Sequence, residues 1–336
     1  MLLPSRQPNI AVIGAGAWGK NLVKTLHRLG VLRSVIEASP DLLGRLGQEY
    51  ADVTLQADYT PVLHNLSIDA VVISTPASTH YELAAAFLSA GKDVFIEKPM
   101  TLKTSHARDL IKRARQFKRV LMVGHLLLYK PAVQFLKQQL EAKSLGKLYS
   151  IHQERAKFGR VRAVENALWS LGVHDIAVLL HLVGCPPVRI VASGQSTLRA
   201  GVEDDVYLHL EFPHNIQAHL HCSWLWPEDR RRLILVGERG MLIYDEHAER
   251  IYFSRKTVTA AMETIDEGTD VIFEAAPSQP LLAEMQHFLS CVQTREQPLS
   301  DGESGLEVIK VLEAAALDRS HKHAGELPTI VKSTLV

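Results

Sequence analysis

The sequence has few cysteines, no excess of charge and no long apolar run. Three cysteines in 336 residues, Cys185, Cys222 and Cys291, are odd in number and widely spaced. This pattern fits neither a disulfide framework nor a zinc site, and it favours a reducing compartment, the cytoplasm. The first residues lack the apolar core of a signal peptide, and no run is long enough to span a bilayer. We therefore expect no membrane partner.

The charges balance, with 37 basic and 37 acidic residues. A general nucleic-acid binder needs a basic surface to displace counterions, so we expect no nucleic-acid partner. A local basic cluster can still bind an anionic small molecule. No grouping of metal ligands is visible in the sequence, and we expect no metal cofactor. The length suits two domains.

Strand-like and helix-like segments alternate in the first part of the chain. The predicted strands cover residues 9–13, 34–37, 70–74, 93–96 and 120–123, and the predicted helices cover residues 17–29, 81–90 and 105–117. This alternation predicts an α/β Rossmann domain, a doubly wound parallel sheet with helices on both faces, over residues 1–125.

The second part of the chain has a different pattern. Strand-like runs follow one another there with few intervening helices. The predicted strands cover residues 148–153, 188–192, 206–212, 217–223, 232–236, 241–244 and 250–253, and the predicted helices cover residues 167–182, 280–294 and 304–320. Residues 126–336 are thus predicted to form an α+β domain with an open, mainly antiparallel sheet, which binds substrate and forms oligomers.

A glycine motif follows the first strand and opens the first helix. Gly14 permits a tight turn, Gly16 lets a pyrophosphate approach the backbone, and Gly19 lets helix and strand pack closely. Ala17 and Trp18 lie inside this motif and are further candidate cofactor contacts, although Trp18 could simply pack. The context predicts NAD binding. The alternative is a glycine-rich turn that binds no cofactor.

Two other segments are predicted to contact this cofactor. Glu37 ends the second strand, where an acid accepts hydrogen bonds from a ribose 2′-hydroxyl and repels a 2′-phosphate, which favours NAD over NADP. Its alternative role is a solvated strand end. Ser74, Thr75, Pro76 and His80 follow the next strand at the ligand-facing edge of the sheet. They are expected to touch the cofactor, to cap the following helix, or both.

The Glu97-Lys98-Pro99 segment, together with the glycine motif and the second-domain pattern, resembles the glucose-fructose oxidoreductase/inositol dehydrogenase/rhizopine catabolism (Gfo/Idh/MocA) family over nearly the whole chain. The resemblance implies hydride transfer between a nicotinamide and a sugar or polyol carbon. It implies that Lys98 reaches the reacting hydroxyl, that Glu97 lies beside the cofactor, and that the Lys-Pro bond is often cis. It also implies a homodimer or homotetramer formed through the second sheet.

A second shared region surrounds His174. The family often has an aspartate four residues before this histidine, but here Ser170 occupies that position, so the family's Lys-Asp-His set is incomplete. Imidazole titrates near neutral pH, which makes His174 a candidate proton acceptor beside Lys98. Its alternative is a hydrogen-bonded core histidine. The sequence leaves open which of the two groups is the base.

Four segments resemble more narrowly the branch of the family that acts on nucleotide sugars in lipopolysaccharide and glycan assembly. They are residues 14–21, 123–129, 159–162 and 165–170. The resemblance implies NAD-dependent oxidation of the 3-hydroxyl of a UDP-N-acetylhexosamine to a ketone, for a downstream aminotransferase. The alternatives are a UDP-N-acetylglucosaminuronic acid, a free sugar or polyol, and a non-catalytic NAD-binding regulator.

A basic run is the candidate diphosphate site. Arg155, Arg160 and Arg162 lie just before the predicted helix that carries His174, and guanidinium forks suit phosphate oxygens. The alternative is a solvated loop.

Four polar side chains are the remaining candidate substrate contacts, and one of them is Ser170, at the position where the family often has an aspartate. His125 follows the fifth predicted strand, and Tyr129 lies four residues later; both are expected to meet the sugar. Asn166 would either bind a sugar hydroxyl or cap the following helix.

Overall fold

Six short strands form the sheet of the first domain. The computed structural model describes residues 6–159, 161–162, 165–276 and 278–323. The strands are β1 (Ile10–Ile13), β2 (Leu32–Ile36), β3 (Thr54–Gln56), β4 (Ala70–Ile73), β5 (Asp93–Glu97) and β6 (Leu121–Gly124). They lie in the order β3-β2-β1-β4-β5-β6, and all neighbours are parallel. This confirms the predicted Rossmann sheet.

Helices cover both faces of this sheet. As a consequence, β1, β4, β5 and β6 are buried along their whole length. They are α1 (Gly19–Arg28), α2 (Pro40–Glu49), α3 (Thr60–His64), α4 (Ala77–Ser89) and α5 (Thr104–Phe117). The sequence did not predict α2, β3 or α3. Gly44 and Gly47 weaken the helical pattern of α2, and β3 has only three residues.

The second domain is built on an eight-stranded sheet. Its strands are β7 (Leu148–Phe158), β8 (Arg189–Gln195), β9 (Asp205–Phe212), β10 (Ile216–Ser223), β11 (Leu225–Gly237), β12 (Gly240–Asp245), β13 (Arg250–Val258) and β14 (Thr264–Glu274). The order is β14-β13-β12-β11-β7-β10-β9-β8, in which β7 and β10 are parallel and the other pairs antiparallel. The mainly antiparallel prediction is confirmed. The sequence missed β14, an edge strand that is mostly polar and exposed.

The remaining helices are α6 (Pro131–Glu141), α7 (Val173–Val183), α8 (Pro280–Thr294) and α9 (Gly302–His323). Leu136 of α6, Ile176 of α7 and Leu312 of α9 pack on one face of the second sheet. Met285 and Phe288 of α8 instead join the core of the first domain. The packing therefore differs from a simple division at residue 125, because the chain returns to the first domain after β14. No described helix is both long and apolar enough to cross a membrane.

A buried ionic network fixes α7 against the second sheet. Nε of Arg155 on β7 donates to both carboxylate oxygens of Asp175 at 2.8 Å, and its Nη2 donates to Glu246 at 2.9 Å. Asp175 is fully buried, and burial raises its pKa to about 6 although Arg155 acts in the opposite direction. Each charge in this network depends on its partner, since an unpaired buried ion is costly.

Asp175→Ala should therefore lower the free energy of unfolding by about 3–5 kcal/mol, because it breaks a buried ion pair and leaves the charge of Arg155 with Glu246 in place of two carboxylate partners. Urea denaturation measures this loss. Asp229→Ala is the matched control, since Asp229 makes a half-exposed ion pair with Arg231. Its loss should stay below about 1 kcal/mol. Equal losses in the two variants would contradict the role given to the buried pair.

Candidate functional site

The glycine turn has the shape that a dinucleotide requires. Gly14 has a φ of +90°, and a Cβ on Gly19 would lie 2.2 Å from the carbonyl oxygen of Gly14. Both positions therefore exclude a side chain for reasons internal to the fold. A Cβ on Gly16 would have no atom within 4 Å. Its open side, beside the start of α1, is where a pyrophosphate can approach the backbone, so these residues fit NAD.

Glu37, directly after β2, lies against this turn. One carboxylate oxygen accepts a hydrogen bond from the Ala15 amide at 2.8 Å, and the other accepts one from the Ser39 amide at 3.0 Å. The solvated alternative is thus wrong, because the carboxylate is held at the glycine loop. The structure brings together the two features from which the sequence predicted a dinucleotide site.

The loop after β4 packs on the other side of the glycine turn. Ser74 donates its amide to Ile13 at 2.8 Å, and the methyl group of Thr75 would meet a Cβ on Gly14. Pro76 precedes α4 and lines the cleft between the domains. The positions of these three residues agree with the predicted cofactor loop. The position of His80 does not agree with a predicted cofactor contact. This residue is 1% exposed, and both of its ring nitrogens contact protein carbonyl oxygens, so burial removes it from direct cofactor contact.

Trp18 and Glu97 connect the glycine motif to the end of β5. The indole N–H of Trp18 donates to Glu97 at 2.6 Å, while 40% of the Trp18 side chain remains exposed. The second carboxylate oxygen of Glu97 accepts a hydrogen bond from the Lys98 amide at 3.2 Å. Burial raises the pKa of Glu97 to about 6, against the effects of Trp18 and Lys98. Trp18 thus does more than pack, since it holds the carboxyl group beside Lys98.

Lys98 and the segment that leads to His174 are brought together from different domains. The Lys98-Pro99 peptide bond is cis, as the resemblance implies. The Lys98 ammonium donates to the carbonyl oxygen of Ser170 at 3.4 Å, just before α7. Burial lowers the pKa of Lys98, and burial together with the charge of Lys98 holds the pKa of His174 well below its ordinary value. Burial therefore disfavours the protonated form of both groups.

A π-helical turn, Leu168–Gly172, precedes α7 and presents the Ser170 carbonyl to Lys98. A Cβ on Gly172 would lie 2.7 Å from Leu168 and 3.0 Å from the sulfur of Cys222, so glycine permits the turn to pack against β10. The sequence predicted an ordinary helix here. Such turns are rare and often mark functional sites, and single-sequence periodicity does not reveal them.

A cleft of about 820 Å³ lies between the loop after β4 and the segment before α7. Arg162 is half-exposed in its wall and pairs with Glu165 at 3.1 Å. Asn166 and Trp169 also line it. Asn166 accepts the Trp169 amide at 2.9 Å, which confirms the capping alternative. The sequence did not single out Glu165, Trp169 or Leu102 as cleft residues, because no spacing rule links the domains. Arg160 lies outside the described residues.

The structure contradicts two predicted substrate contacts. Arg155 is committed to Asp175 and Glu246 inside the second domain, so it is a structural cation and not a diphosphate ligand. The Tyr129 hydroxyl lies 3.2 Å from Ser300 in the packed interior, away from the cleft. Both errors have one cause, because sequence order does not show which face of an element a side chain occupies.

His125 is close enough to Lys98 and His174 to interact with them electrostatically, but it is buried and does not line the cleft. It is 2% exposed, and its ring nitrogens have no hydrogen-bond partner among the described side chains. Burial, and secondarily the charge of Lys98, lowers its pKa to about 4. This shift favours the neutral imidazole, and a sugar contact by His125 stays a prediction.

Gly16→Ala and Gly19→Ala should separate cofactor binding from folding. Gly16→Ala should leave the melting temperature unchanged and weaken NAD binding at least tenfold, because its methyl group enters only the open side of the turn. Gly19→Ala should lower the melting temperature, because its methyl group collides with the Gly14 carbonyl. Thermal unfolding and NADH fluorescence titration provide the two measurements. Gly44→Ala, with no atom within 4 Å, is the control and should bind normally. Normal NAD affinity in Gly16→Ala would refute the placement of the pyrophosphate.

Comparison with known proteins agrees with this geometry over nearly the whole chain. Residues 8–125 match the family described as "Oxidoreductase family, NAD-binding Rossmann fold", and residues 133–243 match the "GFO/IDH/MocA C-terminal domain". The UDP-N-acetylglucosamine 3-dehydrogenase of Acidithiobacillus ferrooxidans is 27% identical, over 91% of this chain and 94% of its own. A solved structure of that enzyme superimposes with a TM-score of 0.81 at 24% identity, covering 93% and 97% of the two chains.

A relative with a different substrate is also similar. The scyllo-inositol 2-dehydrogenase (NAD(+)) of Bacillus subtilis is 22% identical, over 87% of this chain and 88% of its own. The two matched regions cover more than half of the chain and include the glycine turn and the Lys98 strand. The protein is therefore a member of the Gfo/Idh/MocA oxidoreductase family.

Proposed function

We propose that this oxidoreductase uses NAD to oxidise the 3-hydroxyl of a UDP-N-acetylhexosamine, in the first instance UDP-N-acetylglucosamine, to the 3-keto sugar. The observation that carries the proposal is the hydrogen bond from Lys98 to the Ser170 carbonyl, in the turn that connects Trp169 in the cleft wall to His174 on α7. The resemblance to a UDP-N-acetylglucosamine 3-dehydrogenase supports this choice of substrate.

The residues divide the chemistry between them. When bound, the nicotinamide supplies the acceptor for the hydride from the sugar carbon. Lys98 and His174 handle the hydroxyl proton, since both have pKa values lowered by burial and either can accept it. The Ser170 carbonyl holds the Lys98 ammonium on the side of the second domain. Glu97 and Trp18 fix the backbone from which Lys98 extends.

The cleft supports a nucleotide sugar over a free sugar. Its volume of about 820 Å³ exceeds the need of a single hexose and falls in the range of small-molecule sites. Arg162 offers a half-exposed guanidinium, which can release the carboxylate of Glu165 and bind a diphosphate in its place. The partly exposed ring of Trp169 offers a flat apolar surface for a base.

Lys98→Met should reduce kcat/KM by about 10²–10⁴-fold, because it removes the amine that transfers the proton while keeping most of the side chain's length. NAD affinity should stay within about threefold of the wild type, since the glycine turn is untouched. NADH absorbance measures turnover. Lys103→Met, at an exposed position five residues later, is the matched control and should retain full activity. Normal turnover in Lys98→Met would remove Lys98 from the mechanism.

The substrate is tested with a panel of UDP-N-acetylglucosamine, UDP-N-acetylglucosaminuronic acid, N-acetylglucosamine and inositol. Preference for the first compound supports the proposal. Preference for the second or for a free sugar favours another dehydrogenase of this family. Tight NAD binding without reduction by any compound would favour a regulator.

NAD preference over NADP is proposed from Glu37, whose carboxylate faces the glycine turn. Glu37→Ser should raise the ratio of kcat/KM for NADP to that for NAD by about tenfold or more, because a like-charge repulsion is removed. Steady-state rates with each cofactor measure the ratio. Glu82→Ser, an exposed change on α4, should leave it unaltered. An unchanged ratio in Glu37→Ser would show that the carboxylate does not select the cofactor.

Three broader expectations remain proposals. The second sheet is covered by helices on one face, and we propose that its other face joins copies of the chain into a dimer or tetramer. Tyr207 contributes exposed apolar surface to this sheet, which supports an interface.

The three cysteines are free thiols, which supports a reducing compartment, the cytoplasm. The 3-keto product would pass to an aminotransferase in glycan assembly.

A further inference from the structure

His80 is a buried histidine that contacts the main chain of two segments of the predicted site. It lies in the first turn of α4 and is 1% exposed. Its Nδ1 lies 2.9 Å from the carbonyl oxygen of Pro99, and its Nε2 lies 2.9 Å from the carbonyl oxygen of Thr75. One ring thus links the segments that follow β4 and β5 at the ligand-facing edge of the sheet.

Each of these two carbonyl groups belongs to a segment with a different task. Pro99 directly follows Lys98, so holding its carbonyl fixes the main chain from which the Lys98 side chain extends. Thr75 packs its methyl group against the Gly14 turn and precedes Pro76, which lines the cleft. A displacement of the first segment would misplace Lys98, and a displacement of the second would alter the wall of the cofactor site.

We propose that His80 is a positioning residue with two separable functions: its Nδ1 contact with Pro99 orients Lys98 for turnover, and its Nε2 contact with Thr75 shapes the cofactor loop for NAD binding. His80 itself touches neither cofactor nor substrate, because it is buried behind both segments. The turnover part of this inference rests on the dehydrogenase activity proposed above.

The chemistry of imidazole explains why the two functions can be separated. Carbonyl oxygens only accept hydrogen bonds, so both contacts are hydrogen bonds when each ring nitrogen carries a proton. Burial lowers the pKa of His80, and the two carbonyl groups oppose that effect. Of the neighbouring charges, Glu165 favours the protonated ring and Lys98 disfavours it. A neutral ring donates to only one of the two carbonyl groups, so both functions together require the protonated ring, which the two contacts at 2.9 Å favour.

Three substitutions test the two contacts one at a time. The amide nitrogen of asparagine can occupy the place of Nδ1, and that of glutamine the place of Nε2. His80→Asn should keep kcat near the wild-type value and raise KM for NAD about tenfold. His80→Gln should keep KM and lower kcat by about 10- to 100-fold, as small misplacements of catalytic groups do. His80→Phe, which fills the same space without donors, should show both losses.

Two measurements without sugar make the test independent of substrate identity. NADH fluorescence gives cofactor affinity, which His80→Asn should weaken and His80→Gln should not. The rate at which an amine-reactive reagent labels Lys98, followed by mass spectrometry, should change in His80→Gln and not in His80→Asn. If the wild type oxidised no UDP-sugar, the proposed function would fail, and these two measurements would still decide the role of His80.

The matched controls are His106→Asn and His106→Gln, since His106 stacks on Tyr81 near the surface of the same domain. They should leave kcat, KM and labelling unchanged. The proposal is overturned if His80→Asn and His80→Gln change kcat and KM in parallel, as a purely structural histidine would. It is also overturned if neither variant differs from the wild type.

Discussion

The site depends on one constraint, which is that parallel strands end together at one edge of a sheet. β1, β4 and β5 pair in register, with Ile13 beside Ile73 and Ile73 beside Ile96. The glycine turn, the Thr75 loop and the Glu97-Lys98 segment follow these three residues directly. Because the strands are fully buried, helices packed on both faces of the sheet hold each strand in place. Parallel pairing of the strands is then enough to bring the three segments to the same crevice.

The second domain completes the crevice through α7 and the turn before it. The network of Arg155, Asp175 and Glu246 attaches α7 to its sheet and places a permanent cation behind His174. The charges of Lys98 and Arg155 both add to burial in lowering the pKa of His174. The cation of a structural ion pair therefore also affects the candidate base on the helix that the pair anchors.

Local patterns predicted much of this arrangement. Gly14, Gly16 and Gly19 indicated a dinucleotide turn because each glycine answers a steric demand that is visible in the spacing, and the structure shows two of these demands as collisions. Glu37 was found because it directly follows a strand, and Lys98 was found because the Glu97-Lys98-Pro99 segment resembles that of a known family. Arg155 and Tyr129 were misassigned because their partners, Asp175 and Ser300, lie 20 and 171 residues away.

The sequence by itself determined the Rossmann half, the mainly antiparallel half and the residues at the strand ends, because these follow from periodicities of two and 3.6 residues and from glycine sterics. Only the tertiary structure decided that Lys98 meets Ser170, that Trp18 binds Glu97, that His80 lies between two carbonyl groups, and that α8 returns to the first domain. Those contacts join elements that are distant in sequence, and burial and hydrogen-bond geometry exist only once the elements pack.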